Sequence, residues 1–392
     1  MSFQKRETFL AYSKPDITDV EINAVVETLK SGWLAKGPQT KQFEEEFAAY
    51  VGAKYAIGVS SCTAALFLSL LAAGVGPGDE VITTSMTFCS TVNTIVHLGA
   101  TPVFADIDPV TACIDPADIE RKITSKTKAI VPVHYAGQAC DLEKIYKIAK
   151  KHNLYVSEDA AHGFYTKHNG HFIGHGAKDA VCYSFYATKN LCTAEGGMLV
   201  TDREDIANKV RLCSNHGMDA NAWKRYEKGG TWQYDVVEIG YKNNMYDMQA
   251  ALGLSQLHRF EEMQTVREQY AQMYDKAFAD LDGIEIIPIA PYTTVHCRHL
   301  YIIKVCPEKL TINRDQFVTE LNQRNIGTSV HFIPVHLMTA YRETFGTKEG
   351  DLPVTESYAE RNLSIPLYSK MTVEDVQSVI DAVKNIVETY HK

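Results

Sequence analysis

A single lysine, Lys189, sits in the stretch YSFYATKNLCTAEGG, between an aromatic run resembling a strand and the glycine pair Gly196 and Gly197. An amine partly withdrawn from water is easily kept neutral, and a neutral amine attacks aldehydes. With Ser184, Thr188 and Thr193 around it, Lys189 suits a Schiff base, although most lysines in such turns are simply exposed. Other strand ends carry groups that a phosphorylated aldehyde would need. SSCTAALF puts Ser60, Ser61 and Thr63 at the start of an apolar helix, where free amides and hydroxyls suit a phosphate as well as a plain N-cap. SEDAAHGF offers Asp159, whose charge would stabilise a protonated pyridine nitrogen, or would instead pair with an arginine or cap a turn. His162 follows, able to lie against a ring or to bond a phenolic oxygen. Phe88, after the second strand run, is a stacking face.

Other chemistries lack their signatures. His162, His168, His171 and His175 form no zinc-binding pattern, and HNGHFIG predicts a hairpin, so no metal is expected. GxGxxG after a strand, GxxxxGK[ST] and GxSxG are all missing. Nine cysteines stand singly without a CxxC pair, which predicts reduced thiols used as small core residues. A formal net charge of -9 leaves no broad basic face for nucleic acid. The most apolar run, 64–74, is too short to span a bilayer, and MSFQKRETFL lacks a signal-peptide core. A cytoplasmic protein with neither nucleic acid nor membrane as partner is expected.

The elements that must hold these residues follow from hydrophobic period. Helical spacing covers 19–30 and 40–50, joined by the loop GWLAKGP. Seven short apolar runs follow at 55–59, 80–83, 102–105, 129–134, 154–157, 180–185 and 198–201, with helical patterns at 63–73, 90–98 and 142–152. This alternation predicts an α/β fold with a mostly parallel seven-stranded sheet between helices, and ligands beyond the carboxyl ends of its strands. A long helix at 245–260, a more charged one to about 280, and α+β patterns beyond predict a large cofactor-binding domain over 1–260, with helices 16–50 packed on it, and a small C-terminal domain over 261–392.

In this order the blocks resemble fold-type I pyridoxal-phosphate enzymes and, more narrowly, the DegT family of nucleotide-sugar aminotransferases. The resemblance runs through SGWLAKGP, SSCTAAL, GDEVIT, TFCSTVNTIVHLGATPVFADID, PVHYAGQ, EDAAH, SFYATKN with AEGG, GYKNNMYDMQAALGLSQL and NIGTSVHFIPVH. It implies that Lys189 is the Schiff-base lysine and the base that moves the substrate proton. It further implies that Asp159 pairs with the pyridine nitrogen, Phe88 stacks on the ring and His162 contacts the ring or its oxygen. Thr63, the Cys62 backbone and Ser184 would bind the phosphate, completed by Asn244 (or Asn243) from the second subunit of a homodimer with shared sites. Trp33, Lys36 and His331 would line the sugar-nucleotide pocket. The HYAG block and the His162 form of EDAAH look most like enzymes that use L-glutamate to aminate C4 of UDP-linked keto sugars for cell-surface polysaccharides, including lipopolysaccharide. Relatives that dehydrate the sugar carry histidine where this chain has Lys189, so amination is expected. The alternatives are C3 amination of a dTDP-keto sugar and a non-catalytic pyridoxal-phosphate-binding sensor. The Cys62 side chain, where many relatives have glycine or alanine, receives no role.

Overall fold

The structure, a computed structural model, describes residues 4–219 and 233–392. Nine strands come first: β1 (Tyr55–Val59), β2 (Glu80–Thr84), β3 (Thr101–Ala105), β4 (Thr127–Val131), β5 (Tyr155–Ala160), β6 (Lys167–His168), β7 (His171–Phe172), β8 (Ala180–Ser184) and β9 (Gly197–Thr201). The seven expected strands form one sheet in the order β1-β9-β8-β5-β4-β2-β3. Only β9 runs against its neighbours; the other pairs are parallel. The carboxyl ends of six strands and the amino end of β9 therefore share one edge.

The apolar runs are nearly continuous because both sheet faces are covered. In β8, Val181 and Tyr183 join a cluster with Phe43, Phe47, Leu254 and Phe260, while Ala180 and Cys182 face the opposite cluster with Leu66, Leu68 and Val210. Two strand ends lie three residues from expectation. β5 continues past Ser157 because parallel pairing with β8 extends through Glu158 and Asp159 to Ala160. β4 stops at Val131, since Pro132 has no N–H for the ladder. Its continuation still meets β5 through the His134 amide, which donates to the Asp159 carbonyl at 3.0 Å.

The HNGHFIG segment is the hairpin β6–β7, with His168 opposite His171. Its turn residues Asn169 and Gly170 have φ of 48° and 85°, as a tight two-residue hairpin turn requires. Beyond the large sheet, β10 (Ile284–Ile286), β12 (Tyr301–Val305) and β13 (Asn362–Ile365) form an antiparallel sheet, while β11 (Thr293–Val295) pairs with β6. Helices Phe260–Phe278, Arg314–Gln323 and Val373–Tyr390 bury Tyr274, Phe317 and Val383 in one cluster with that sheet. Leu10, far off in sequence, joins this cluster and exchanges backbone hydrogen bonds with Asn325 and Gly327.

Helix Asp19–Ser31 turns Glu21 inward to Arg259 at 2.5 Å and leaves Val20, Ile22 and Leu29 exposed. Its apolar period therefore does not mark the face packed against this chain. Helix Pro38–Val51 starts at a glycine with no capping side chain, and Asp247 substitutes by accepting from the amides of Gly37, Gln39 and Thr40 at 2.7, 3.0 and 3.0 Å.

Candidate active site

A cavity of about 460 Å³ opens at the sheet edge where the strand ends converge. Of the residues singled out in the sequence, Cys62, Thr63, Phe88, Asp159, His162, Ser184, Lys189 and His331 all line it.

Lys189 lies in the turn after β8, its amide donating to the Tyr186 carbonyl at 2.9 Å. The residue keeps slight contact with solvent, yet burial of its amine lowers the pKa to about 8 against the opposing pull of Cys62, Asp159 and Cys297. Asp159 and Glu158 are neighbours in β5 and so point to opposite faces. Glu158 accepts from Tyr146 at 2.7 Å and pairs with His134 at 2.9 Å, while Asp159 faces the cavity. Asp159 Oδ2 accepts from the Thr91 hydroxyl at 2.7 Å and Oδ1 from the Ala161 amide at 3.0 Å. Burial raises this carboxyl above its ordinary range, and Thr91, Ala161, Lys189 and His134 draw it back.

At the other end of the cavity, helix Cys62–Ala72 begins with Ser61 as its cap, the Ser61 hydroxyl accepting from the Ala64 amide at 3.1 Å. That leaves the exposed Thr63 side chain on the cavity wall and no acidic residue in the first turn. The start of β9 beneath this turn must be bare: a Cβ on Gly197 would lie 2.5 Å from the Ser61 carbonyl carbon and 2.6 Å from the Cys62 nitrogen. The Cys62 thiol points into the core, where it donates to the Cys182 carbonyl at 3.5 Å, so its role is packing. Ser184, at the end of β8, accepts from the Tyr186 amide at 3.4 Å.

Two imidazoles, His162 and His331, line one wall with Phe332, and His299 packs behind them. The His162 ring stacks on Phe332 at 5.7 Å and meets His299 and His331 edge-on at 4.9 and 6.0 Å. The Ala136 amide donates to His162 Nδ1 at 3.3 Å. Burial, then the Lys189 charge, pushes His162 well below the ordinary histidine range and His331 down to about 3, so both rings are neutral at pH 7. His331 Nδ1 is held by Ser364 Oγ at 2.8 Å. Phe88 is 60% exposed at the mouth, an aromatic face open to a ligand.

Asn244, Trp33 and Lys36 do not line this cavity. Asn244 donates to the Met245 carbonyl at 2.9 Å, and its Oδ1 is buried without a partner among the described residues. Trp33 is 46% exposed, its indole N–H donating to the Lys36 carbonyl at 3.2 Å, and the Lys36 amine pairs with Glu44 at 2.9 Å. Thr91, Glu195 and Phe332 were not singled out in the sequence. Thr91 lies inside the TFCSTVNTIVHL block, whose residue types alone give it no role, and only the fold brings it to Asp159.

These groups fit one ligand. A helix start free of acidic residues suits a phosphate, a buried carboxylate suits a pyridinium nitrogen, and a desolvated amine suits an aldehyde. Such a set at the carboxyl edge of a mostly parallel sheet defines a fold-type I pyridoxal-phosphate site. The chain belongs to the DegT/DnrJ/EryC1/StrS aminotransferase family, whose model matches residues 15–384. It is 54% identical over 98% of its length, and 99% of the relative's, to the spore coat polysaccharide biosynthesis protein SpsC of Bacillus subtilis (strain 168). The pyridoxal-phosphate form of the putative sugar aminotransferase Spr1654 from Streptococcus pneumoniae superimposes with a TM-score of 0.90 at 34% identity, covering 97% of this chain and 99% of that one. Helicobacter pylori PseC, an aminotransferase involved in the biosynthesis of pseudoaminic acid, gives 0.89 at 30% identity, covering 98% and 100%. The protein is thus a pyridoxal-phosphate-dependent sugar aminotransferase. No helix among the described residues is long and apolar enough to cross a membrane.

Proposed function

We propose that the enzyme transfers an amino group from L-glutamate to the C4 keto group of a UDP-linked keto-deoxy sugar, in the cytoplasm and for a cell-surface polysaccharide. The observation that carries amination is Lys189, an amine of pKa about 8 beside Asp159 in one cavity. Bound pyridoxal phosphate supplies an electron sink for the carbon being deprotonated. With the cofactor bound, the Lys189 Nζ would carry the proton between the substrate carbon and the cofactor carbon, which a base titrating near neutrality does efficiently. Asp159 holds the ring nitrogen, the Cys62 and Thr63 amides with Thr63 and Ser184 hold the phosphate, and Phe88 and the neutral His162 pack the ring. Likeness to SpsC, a spore coat polysaccharide biosynthesis protein, supports the polysaccharide assignment, and His162 with the HYAG block supports C4.

The same reading makes the chain a homodimer with a large domain over 1–260 and a small one over 261–392. The buried Oδ1 of Asn244, unpartnered among the described residues, and the exposed Val20, Ile22, Leu29 and Trp33 suit contact with a second copy, whose cavity Asn244, Trp33 and Lys36 would complete. The test is a panel of nucleotide keto sugars with glutamate, the new amine located by NMR. Amination of the UDP-4-keto sugar at C4 is expected. Turnover of a dTDP-3-keto sugar alone would overturn the substrate assignment, and a cofactor band that glutamate leaves unchanged would point to a sensor.

A further inference from the structure

Asp159 does not stand alone in its pocket. Its Oδ2 accepts from Thr91 Oγ1 at 2.7 Å, and Thr91 Oγ1 lies 2.7 Å from Thr87 Oγ1. Both threonines are fully buried. A hydroxyl has one proton, and an ionised carboxylate only accepts. Thr91 therefore spends its proton on Asp159 and must accept from Thr87, so the chain runs in one direction, Thr87 to Thr91 to Asp159. Charge-assisted bonds of this kind are short and strong, and successive hydroxyls polarise one another. Thr91 belongs to helix Cys89–His97, which follows directly on Phe88. One short segment would thus supply both the stacking face and the clamp on the carboxylate. Thr87 itself lines the cavity.

We propose that Thr91, backed by Thr87, is a positioning residue that holds the Asp159 carboxylate oriented toward the ring nitrogen of the cofactor. The inference rests on the reading that Asp159 pairs with that nitrogen. Ala161 fixes Oδ1 and Thr91 fixes Oδ2, so the rotation of the carboxylate is pinned from two elements. Other titratable groups act on it as well. The Lys189 amine and His134 favour the anion, and the thiols of Cys62, Cys140 and Cys182 are pushed up by burial first, with the Asp159 charge adding to it. Among the neighbours that favour the charged form, Thr91 contributes most.

The test compares Thr91→Val, Thr91→Ser, Thr87→Val and Asp159→Asn by pyridoxal-phosphate titration of the apo-enzyme and by the pH dependence of the bound cofactor's absorbance. Loss of a hydrogen bond to a charged group should weaken cofactor binding by about 10- to 100-fold in Thr91→Val. The acid limb of the absorbance profile should move to higher pH, because the carboxyl then protonates more readily. Thr91→Ser should restore both readouts, and Thr87→Val should shift them in the same direction by less. If Thr91→Val does not fold, Thr87→Val decides the point by the same two readouts, and no shift in either would overturn the inference. Wild-type affinity and an unmoved profile in Thr91→Val, with Asp159→Asn impaired, would overturn the inference. Wild-type behaviour in Asp159→Asn would instead overturn the reading beneath it.

Discussion

Replacing Gly197 by alanine tests whether the start of helix Cys62–Ala72 holds the phosphate. The added Cβ would sit 2.5 Å from the Ser61 carbonyl carbon and 2.6 Å from the Ser61 oxygen and the Cys62 nitrogen, where ordinary contact begins at 3.4 Å. The backbones must separate by about 0.9 Å, the difference between those two distances. Neither side yields easily: Gly197 is paired with Val59 on one side and Ser184 on the other, and the helix start is covalently continuous with β1. The φ of Gly197 lies outside the left-handed range, so the effect reports the contact and not backbone strain. Overpacking of this kind costs about 1–3 kcal/mol, and a backbone-to-backbone clash belongs at the upper end. For a chain of this size that lowers Tm by roughly 3–4 °C. Amides displaced by most of an ångström lose their aim at an anion, which should weaken pyridoxal-phosphate binding by about 10- to 100-fold. Thermal melts of the apo-protein and cofactor titration measure the two effects. Gly76→Ala, where the Cβ meets open space, is the control. Gly197→Ala with unchanged Tm and cofactor affinity within twofold of wild type would refute the argument.

Removing the base in Lys189→Ala should lower glutamate-dependent release of 2-oxoglutarate by at least about a thousandfold; near-normal turnover would sink the assignment. The Lys189 amine also ties apo-protein stability to pH. Its pKa falls from 10.5 to about 8 on folding, so between those values the unfolded chain holds more protons and stability gains with rising pH. In urea unfolding, any advantage of Lys189→Met over wild type should therefore be greatest below pH 8 and vanish as pH passes the ordinary lysine range; an advantage constant with pH would contradict the burial of this amine. Cys62→Ala removes only a weak thiol bond and some packing, so a loss of about 1 kcal/mol is expected with cofactor affinity nearly unchanged. A large drop in affinity would give the thiol a role at the site.

Local pattern made the seven strands and the principal helices legible, because period in sequence reflects which faces are covered. It failed at particular ends for particular reasons. Pro132 cut β4 short, while pairing with β8 carried β5 through Asp159. In helix Asp19–Ser31 the apolar period does not mark the buried face, because the helix turns Glu21 in against Arg259 and leaves Val20, Ile22 and Leu29 exposed.

Residue types at strand ends determined the chemistry: a lysine in a turn, an acid late in a strand and hydroxyls at a helix start. Each of these acts through its own backbone position, so its position could be read from neighbours in sequence. What only the tertiary structure decided was their environment. Thr91 meets Asp159 across 68 residues, Phe332 meets His162 across 170, and Gly197 touches Ser61 across 136, differences taken directly from their numbering. No local period records such contacts. Yet they set the charge of Asp159, the neutrality of His162 and the bare approach beneath the helix start, because burial and hydrogen bonding are properties of the packed chain and not of any stretch within it.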